Sequence, residues 1–167
     1  MSYKRLEIFI DGASRGNPGK AAIGVVLCNG EEVIKNISKF IGVQTNNIAE
    51  YTALVYGLQE ALIFKTKELI VNTDSELLFR QLKGLYKVKN PNIKSLFDQA
   101  QHLFSGFNSV ELRQIPREKN RGADKLAGKA IKEQAKVVAP ASKPERKVRA
   151  QGESVAVNSR QLDLFSG

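Results

Sequence analysis

The sequence has almost none of the side chains on which nucleophilic hydrolases depend. Its 167 residues include one cysteine, Cys28, and one histidine, His102. A single cysteine cannot form an intrachain disulfide, which fits a reducing compartment. A single histidine offers no credible Ser-His or Cys-His hydrolase site. Cys28 follows the apolar run 23–27, so we expect it to be a buried structural thiol rather than a nucleophile.

Long apolar segments are also missing. No run of apolar residues approaches the roughly 18 needed to cross a bilayer. Residues 1–5 lead directly into a strand-like stretch and contain no small-residue cleavage site, so we predict neither a membrane span nor a secretory signal. The expectation is a cytoplasmic protein, and a monomer.

Acidic residues are outnumbered by basic ones. Lys and Arg total 26 against 17 Asp and Glu, a formal charge of +9. That excess predicts a polyanionic partner, either a nucleic acid or an anionic membrane surface. On charge alone, solvated surface lysines are about as good an explanation. The length and the 42% hydrophobic content predict one well-packed domain.

The spacing of apolar residues predicts an α/β fold in the order βββ-α-β-α-α-β-α. An apolar stripe at three- and four-residue spacing predicts a helix over 48–62, and Asn29-Gly30 predicts a tight hairpin. The expected sheet has five strands and is mixed, with three antiparallel strands followed by two parallel ones, flanked by helices. The predicted strands are 6–10, about 21–28, 32–41, 69–71 and 109–115, and the later helices are about 76–83, 91–104 and 122–136.

Composition changes beyond residue 136. Residues 1–136 are predicted to form the folded domain. Residues 137–160 contain Pro140, Pro144, charges and small residues without apolar periodicity, which predicts a flexible basic linker. Residues 161–167 then add a short hydrophobic peptide.

Four carboxylates stand where such a sheet places functional groups. Asp11 and Asp74 are expected at the carboxyl ends of two strands, and Glu50 and Asp124 in or near the first turns of two helices. Taken singly, each has an ordinary explanation as a turn, a cap or a helix-dipole partner. Together they predict a cluster of like charges, which would raise one another's pKa unless a cation such as Mg²⁺ compensates them.

Four segments then carry a family resemblance. They are residues 10–19 (IDGASRGNPG), 45–50 (TNNIAE), 72–75 (NTDS) and 120–127 (NRGADKLA). In order and spacing they resemble the motifs of type 1 ribonucleases H, over about residues 4–134. The resemblance implies an RNase H-like fold and an endonuclease that hydrolyses the RNA strand of RNA–DNA hybrids, leaving 5′-phosphate and 3′-hydroxyl ends.

The same resemblance implies roles for individual residues. Asp11, Glu50, Asp74 and Asp124 would be the catalytic metal ligands. Two Mg²⁺ ions would bind with the substrate, with Mn²⁺ as an alternative. The substrate groove would include Gly12, Asn17, Thr45, Asn46 and Asn47, whose backbone and amide groups suit 2′-hydroxyl recognition. A helix cap remains the ordinary alternative for Asn46 and Asn47, and a turn for Asn17.

The sequence departs from the family pattern at three places. The loop 115–120 lacks the histidine found in many members, and Arg117 or Glu118 are the candidates to replace it. Glu76 stands where the family has glutamine, and residues 84–89 lack the tryptophan-containing basic handle. Two alternatives therefore stay open: a hybrid-binding module with little catalysis, and a nuclease of the same fold that acts on double-stranded RNA.

The C-terminal peptide resembles a second known motif. Gln161, Leu162, Asp163, Leu164 and Phe165 are similar to the peptide by which bacterial replication and repair proteins bind the DNA sliding clamp. The leucine and phenylalanine would anchor in an apolar pocket and the glutamine would bond at its rim. Folding back onto the domain, or chance, are the alternatives.

Overall fold

A five-stranded mixed sheet organises residues 2–138, the part of the chain that the computed structural model describes. The strand order is β3-β2-β1-β4-β5, with β1, β2 and β3 antiparallel and β4 and β5 parallel to β1. This confirms the predicted fold class. The elements are β1 (Arg5–Gly16), β2 (Gly19–Asn29), β3 (Glu32–Gln44), α1 (Asn46–Ile63), β4 (Glu68–Thr73), α2 (Glu76–Leu82), α3 (Pro91–Phe104), β5 (Ser109–Gln114) and α4 (Arg121–Val138).

The two faces of the sheet bury different helices, because successive side chains on a strand point to opposite faces. Ile8 and Ile10 of β1 belong to the main core with residues of α1 and α3. Phe9 of β1 packs instead against the cluster that includes Ala123 of α4. Helices α1 and α4 thus cover opposite faces of the sheet around β1 and β2.

Strand β1 is longer than the apolar pattern predicts. The predicted strand ends at residue 10, whereas residues 11–16 continue the ladder with β2 in unbroken register, from Asp11 opposite Gly24 to Gly16 opposite Gly19. The turn between β1 and β2 is confined to Asn17 and Pro18. Backbone pairing extends the strand where the side chains no longer show a β pattern. Asp11 consequently lies within β1 and does not terminate it.

Two helix starts also differ from the predictions. The hydroxyl of Thr45 accepts a hydrogen bond from the N–H of Ile48 and caps α1. Glu50 is therefore the fifth residue of the helix and lies in its second turn. At α2 the N-cap is Ser75 alone, and Asp74 precedes it with its carboxylate left for other contacts.

Other local predictions can be compared directly with the structure. Helix α3 has the predicted bounds, and α4 continues to Val138, slightly past its predicted end. Cys28 is buried and burial raises the pKa of its thiol, as expected for a structural residue. His102 is exposed and lies in the last turn of α3.

Two sequence-based predictions concern residues that lie mostly outside the described part of the chain. Apart from its first two residues, the linker 137–160 lies outside the described residues, and so does the whole peptide 161–167. Within residues 2–138, no helix combines the length and apolar character needed to cross a membrane.

Candidate active site

Three carboxylates meet at the carboxyl end of β4. Asp11, Glu50 and Asp74 each place one oxygen within 4.8 Å of the others. They line a cavity of about 250 Å³. The sequence prediction of a carboxylate cluster at this edge of the sheet is confirmed for these three residues.

The parallel pairing of β1 with β4 sets two of the three carboxylates side by side. That pairing ends at Ile10 opposite Thr73. The residues that follow them, Asp11 and Asp74, therefore lie beside each other. β1 continues along β2 beyond this point, while the chain of β4 turns into α2. Asp11 thus lies beside the end of β4, where a neighbouring carboxylate can approach it.

Gly12 allows the third carboxylate to reach the first two. A Cβ atom on Gly12 would lie 2.2 Å from the carbonyl carbon of Ala49 and 2.3 Å from the backbone nitrogen of Glu50. The bare backbone of β1 therefore lets α1 pack directly against it. This contact carries the side chain of Glu50, only 4% exposed, down to Asp11.

Asn120 positions Asp74, a role that the sequence did not reveal. Its Nδ2 donates to the carbonyl of Ile10 at 2.8 Å and to Oδ2 of Asp74 at 3.0 Å. One buried amide thereby ties the end of the parallel pairing to the carboxylate of Asp74. An asparagine just before a helix is most simply interpreted as a helix cap. No local sequence pattern distinguishes a cap from a residue that positions a distant carboxylate.

Asp124 lies at the rim of the same cavity rather than inside the triad. Its side chain is 41% exposed and its Oδ1 lies 3.6 Å from a guanidinium nitrogen of Arg117. Both residues line the cavity. Arg117 stands in the loop where many family members carry a histidine, so a positive group occupies that edge of the site.

Burial and mutual repulsion raise the pKa of the two deepest carboxyls. The pKa of Asp11 rises to about 7, first because burial removes it from water, then because Asp74 and Asp124 are negative. Burial likewise raises the pKa of Glu50, followed by the charges of Asp11 and Asp74. Oε2 of Glu50 is buried and has no hydrogen-bond partner within residues 2–138. A cation would satisfy that oxygen and remove the repulsion.

The raised pKa values predict how stability changes with pH in chelated protein. Between about pH 4 and about pH 7, the unfolded chain has lost the Asp11 proton while the folded chain retains it, so stability must fall as pH rises. Relative to Asp11→Asn, the wild type should lose about 4 kcal/mol of unfolding free energy across that interval, because the pKa of Asp11 rises by about three units at about 1.36 kcal/mol each. Urea unfolding of both proteins in EDTA measures the difference, and a wild type that gains stability relative to the variant would contradict the prediction.

Two of the five predicted substrate residues line the cavity. Asn46 lines it together with Gly12. Oδ1 of Asn17, from the β1–β2 turn, accepts a hydrogen bond from the backbone N–H of Asn46 at 3.3 Å. Thr45 is the cap of α1, whereas Asn47 lies within its first turn and is only partly exposed. The sequence left a helix cap as the alternative role of Asn46 and Asn47, but the residue that caps α1 is Thr45.

Comparison with known proteins places this arrangement in a family. Residues 9–130 match the family described as reverse transcriptase-like. Ribonuclease HI of Halobacterium salinarum is 38% identical over 128 residues, which covers 76% of this chain and 64% of that protein. Bifunctional protein Rv2228c of Mycobacterium tuberculosis is 38% identical over 144 residues, covering 85% of this chain and 40% of that protein. The chain therefore spans less than two thirds of either relative.

A solved structure supports the same assignment. LC11-RNase H1, determined in complex with an RNA/DNA hybrid, is 40% identical and superposes with a TM-score of 0.74, covering 78% of this chain and 99% of that one. The family match extends over most of the chain, and the fold agrees at substantial identity. The chain belongs to the ribonuclease H-like family.

Proposed function

We propose that this protein is an endoribonuclease that hydrolyses the RNA strand of RNA–DNA hybrids and leaves 5′-phosphate and 3′-hydroxyl ends. The observation that carries the proposal is the convergence of Asp11, Glu50 and Asp74 within 4.8 Å in a chain of net charge +9. A basic protein attracts a polyanion, and an acidic pocket within it suits divalent cations. The similarity to a relative named ribonuclease HI and to one solved with a hybrid supports the substrate class.

The residues at the site fit Mg²⁺. A cation among these carboxylates would supply Oε2 of Glu50, which has no hydrogen-bond partner among the described residues, and would offset the repulsion that helps to raise the pKa of Asp11. Oxygen ligands are those that Mg²⁺ prefers, and Mn²⁺ accepts the same set. Asp11, Glu50, Asp74 and Asp124 would hold the ions. Two bound ions would supply activation of the attacking water and stabilisation of the leaving 3′-oxygen.

The protein's own groups orient the reactants. Asn120 fixes the carboxylate of Asp74 through a hydrogen bond of 3.0 Å. Arg117 brings a positive charge to the cavity rim beside Asp124, where it can attract the scissile phosphate. Asn46, held by Asn17, faces the cavity, and its amide can donate to a 2′-hydroxyl, the group that separates RNA from DNA.

A gel assay with labelled substrates tests the proposed activity. The full chain is incubated with an RNA–DNA hybrid, duplex RNA and duplex DNA, each with Mg²⁺, Mn²⁺ or chelator. Cleavage of only the RNA strand of the hybrid, abolished by chelator, is the expected result. Cleavage of duplex RNA alone would favour the alternative of a nuclease that has the same fold and acts on double-stranded RNA. Binding of the hybrid without cleavage would favour a hybrid-binding module with little catalysis.

We further propose that the basic tail contributes to hybrid binding. Residues 139–160 contain Lys143, Arg146, Lys147, Arg149 and Arg160, and each phosphate contact adds to the salt dependence through counterion release. Deleting these residues should lower the slope of log affinity against log salt by about 2 to 4. Fluorescence anisotropy in EDTA measures both proteins. Equal slopes would show that the tail does not touch the substrate.

We also propose that residues 161–165 bind the bacterial DNA sliding clamp. Leu164 and Phe165 would provide the apolar anchors, and the affinity should be roughly micromolar. Tethering would raise the effective concentration of the nuclease near replication forks, where RNA primers occur. Fluorescence polarisation with a bacterial clamp should show binding by the full chain and its loss in Leu164→Ala/Phe165→Ala. Equal binding by both proteins, or none by either, would refute this proposal.

A further inference from the structure

A second cavity opens beside the carboxylate site and is mostly basic. It has a volume of about 540 Å³ and shares Ala13 and Asp124 with the carboxylate cavity, so the two cavities are adjacent. We name it the α4 groove, because one wall is the exposed face of helix α4. Its basic side chains, all exposed, are Arg15, Lys125, Lys129, Lys132 and Lys136.

The four lysines form a straight track that leads away from the carboxylates. They are spaced four, three and four residues apart, so they share one face of the helix. At 1.5 Å per residue, the track from Lys125 to Lys136 is about 16 Å long. Three intervals over that length place a lysine about every 5 Å along the track. A strand that leaves the carboxylate cavity and follows the track would therefore meet several positive charges in succession.

Gly128 lies in the middle of this track, and no contact among residues 2–138 requires a glycine there. Glycine in a helix interior is less favourable than alanine, and a Cβ atom at Gly128 would have no neighbour within 4 Å. By contrast, a Cβ on Gly24 would lie 1.9 Å from the carbonyl oxygen of Ala123. A bare helix surface facing an open groove allows close approach by something outside the described chain.

We propose that the α4 groove binds the sugar–phosphate backbone of the RNA strand as it leaves the carboxylate cavity. This inference rests on the proposed function and specifies how that site extends. Glu133 also lines the groove and lies 3.8 Å from Lys129, so one of the five positive charges is partly compensated. Solvated surface lysines would account for the charge of the groove but not for the glycine at its centre.

The charge of the track is tested with two matched variants of the full chain. Lys132→Gln/Lys136→Gln removes two charges from the groove, away from Asp124. Lys65→Gln/Lys67→Gln removes two charges from the α1–β4 loop, at the opposite end of the sheet. Anisotropy with a long hybrid in EDTA should show the salt slope reduced by about 1.8 for the groove variant and almost unchanged for the control. Equal reductions in both would overturn the proposal, because they would reflect net charge alone.

The close approach at Gly128 is tested separately. Gly128→Leu should fold normally and melt a few degrees higher, because leucine favours a helix and finds free space. Its hybrid affinity should nevertheless fall about tenfold, with Gly128→Ala intermediate. Unchanged affinity in a more stable Gly128→Leu would overturn the proposal. If the wild type binds and cleaves the hybrid and all groove variants behave in the same way, only the proposal for the α4 groove is refuted. If the wild type neither binds nor cleaves the hybrid, the proposed function itself is refuted.

Discussion

Asp11→Asn and Asp74→Asn are each expected to lower hybrid cleavage by at least about a thousandfold, which corresponds to roughly 4 kcal/mol of transition-state stabilisation. Both residues contribute an oxygen to the triad of carboxylates. Replacing the charged oxygen by an amide preserves side-chain size but removes a ligand that divalent cations need. Single-turnover cleavage with saturating Mg²⁺ measures the loss.

The same substitutions should leave the fold intact and make the metal-free protein more stable. Asp11 is buried beside two negative groups that raise its pKa, so a neutral amide removes an unfavourable charge. Thermal melting in EDTA should rise for Asp11→Asn, and the gain should shrink with saturating Mg²⁺, which binds only the wild-type cluster well.

Asp98→Asn provides the matched control for this prediction. Asp98 is exposed on α3 and pairs with Lys94 one helical turn away, so its loss should change cleavage and melting very little. An Asp11→Asn protein with cleavage close to the wild type would refute the assignment of the carboxylates as ligands. An Asp98→Asn protein that loses cleavage would show instead that the loss follows any change of charge.

Gly12→Ala is expected to lower the free energy of unfolding by about 3 kcal/mol or more, the upper range for overpacking against rigid neighbours. The added methyl group would overlap the backbone of α1 at Ala49, where no side chain can rotate away. Urea unfolding measures the change. Helix α1 would have to move outward to accommodate the methyl group, and Glu50 would move with it, so the protein that remains folded should also lose cleavage.

Gly128→Ala is the control for the general effect of replacing a glycine by alanine on stability. Its Cβ meets nothing within 4 Å, so it should stabilise the protein by about 0.5–1 kcal/mol. If Gly12→Ala lowers the free energy of unfolding and Gly128→Ala raises it, the destabilisation comes from the contact between β1 and α1. A Gly12→Ala protein as stable as the wild type would show that the strand and the helix can separate without cost.

The sequence by itself determined the fold class and the identity of the carboxylates. Apolar periodicity is a local property, and it predicted the order of elements and the bounds of α3. It also placed Asp74 just after a buried strand, which the structure confirms. The predicted strand ends and helix starts placed Asp11, Glu50, Asp74 and Asp124 in one cluster. The structure brings the first three together, and Asp124 lies at the rim of their cavity.

Only the tertiary structure decided how that cluster is built. β1 continues past Asp11 because β2 pairs with it, although its side chains no longer alternate. Glu50 reaches the site because α1 packs on the bare backbone of Gly12, and Asp74 is held by Asn120, which is 46 residues away in sequence. The α4 groove likewise forms only where β1 meets a helix more than a hundred residues later. Such contacts join residues distant in sequence, and no local pattern of polarity encodes them.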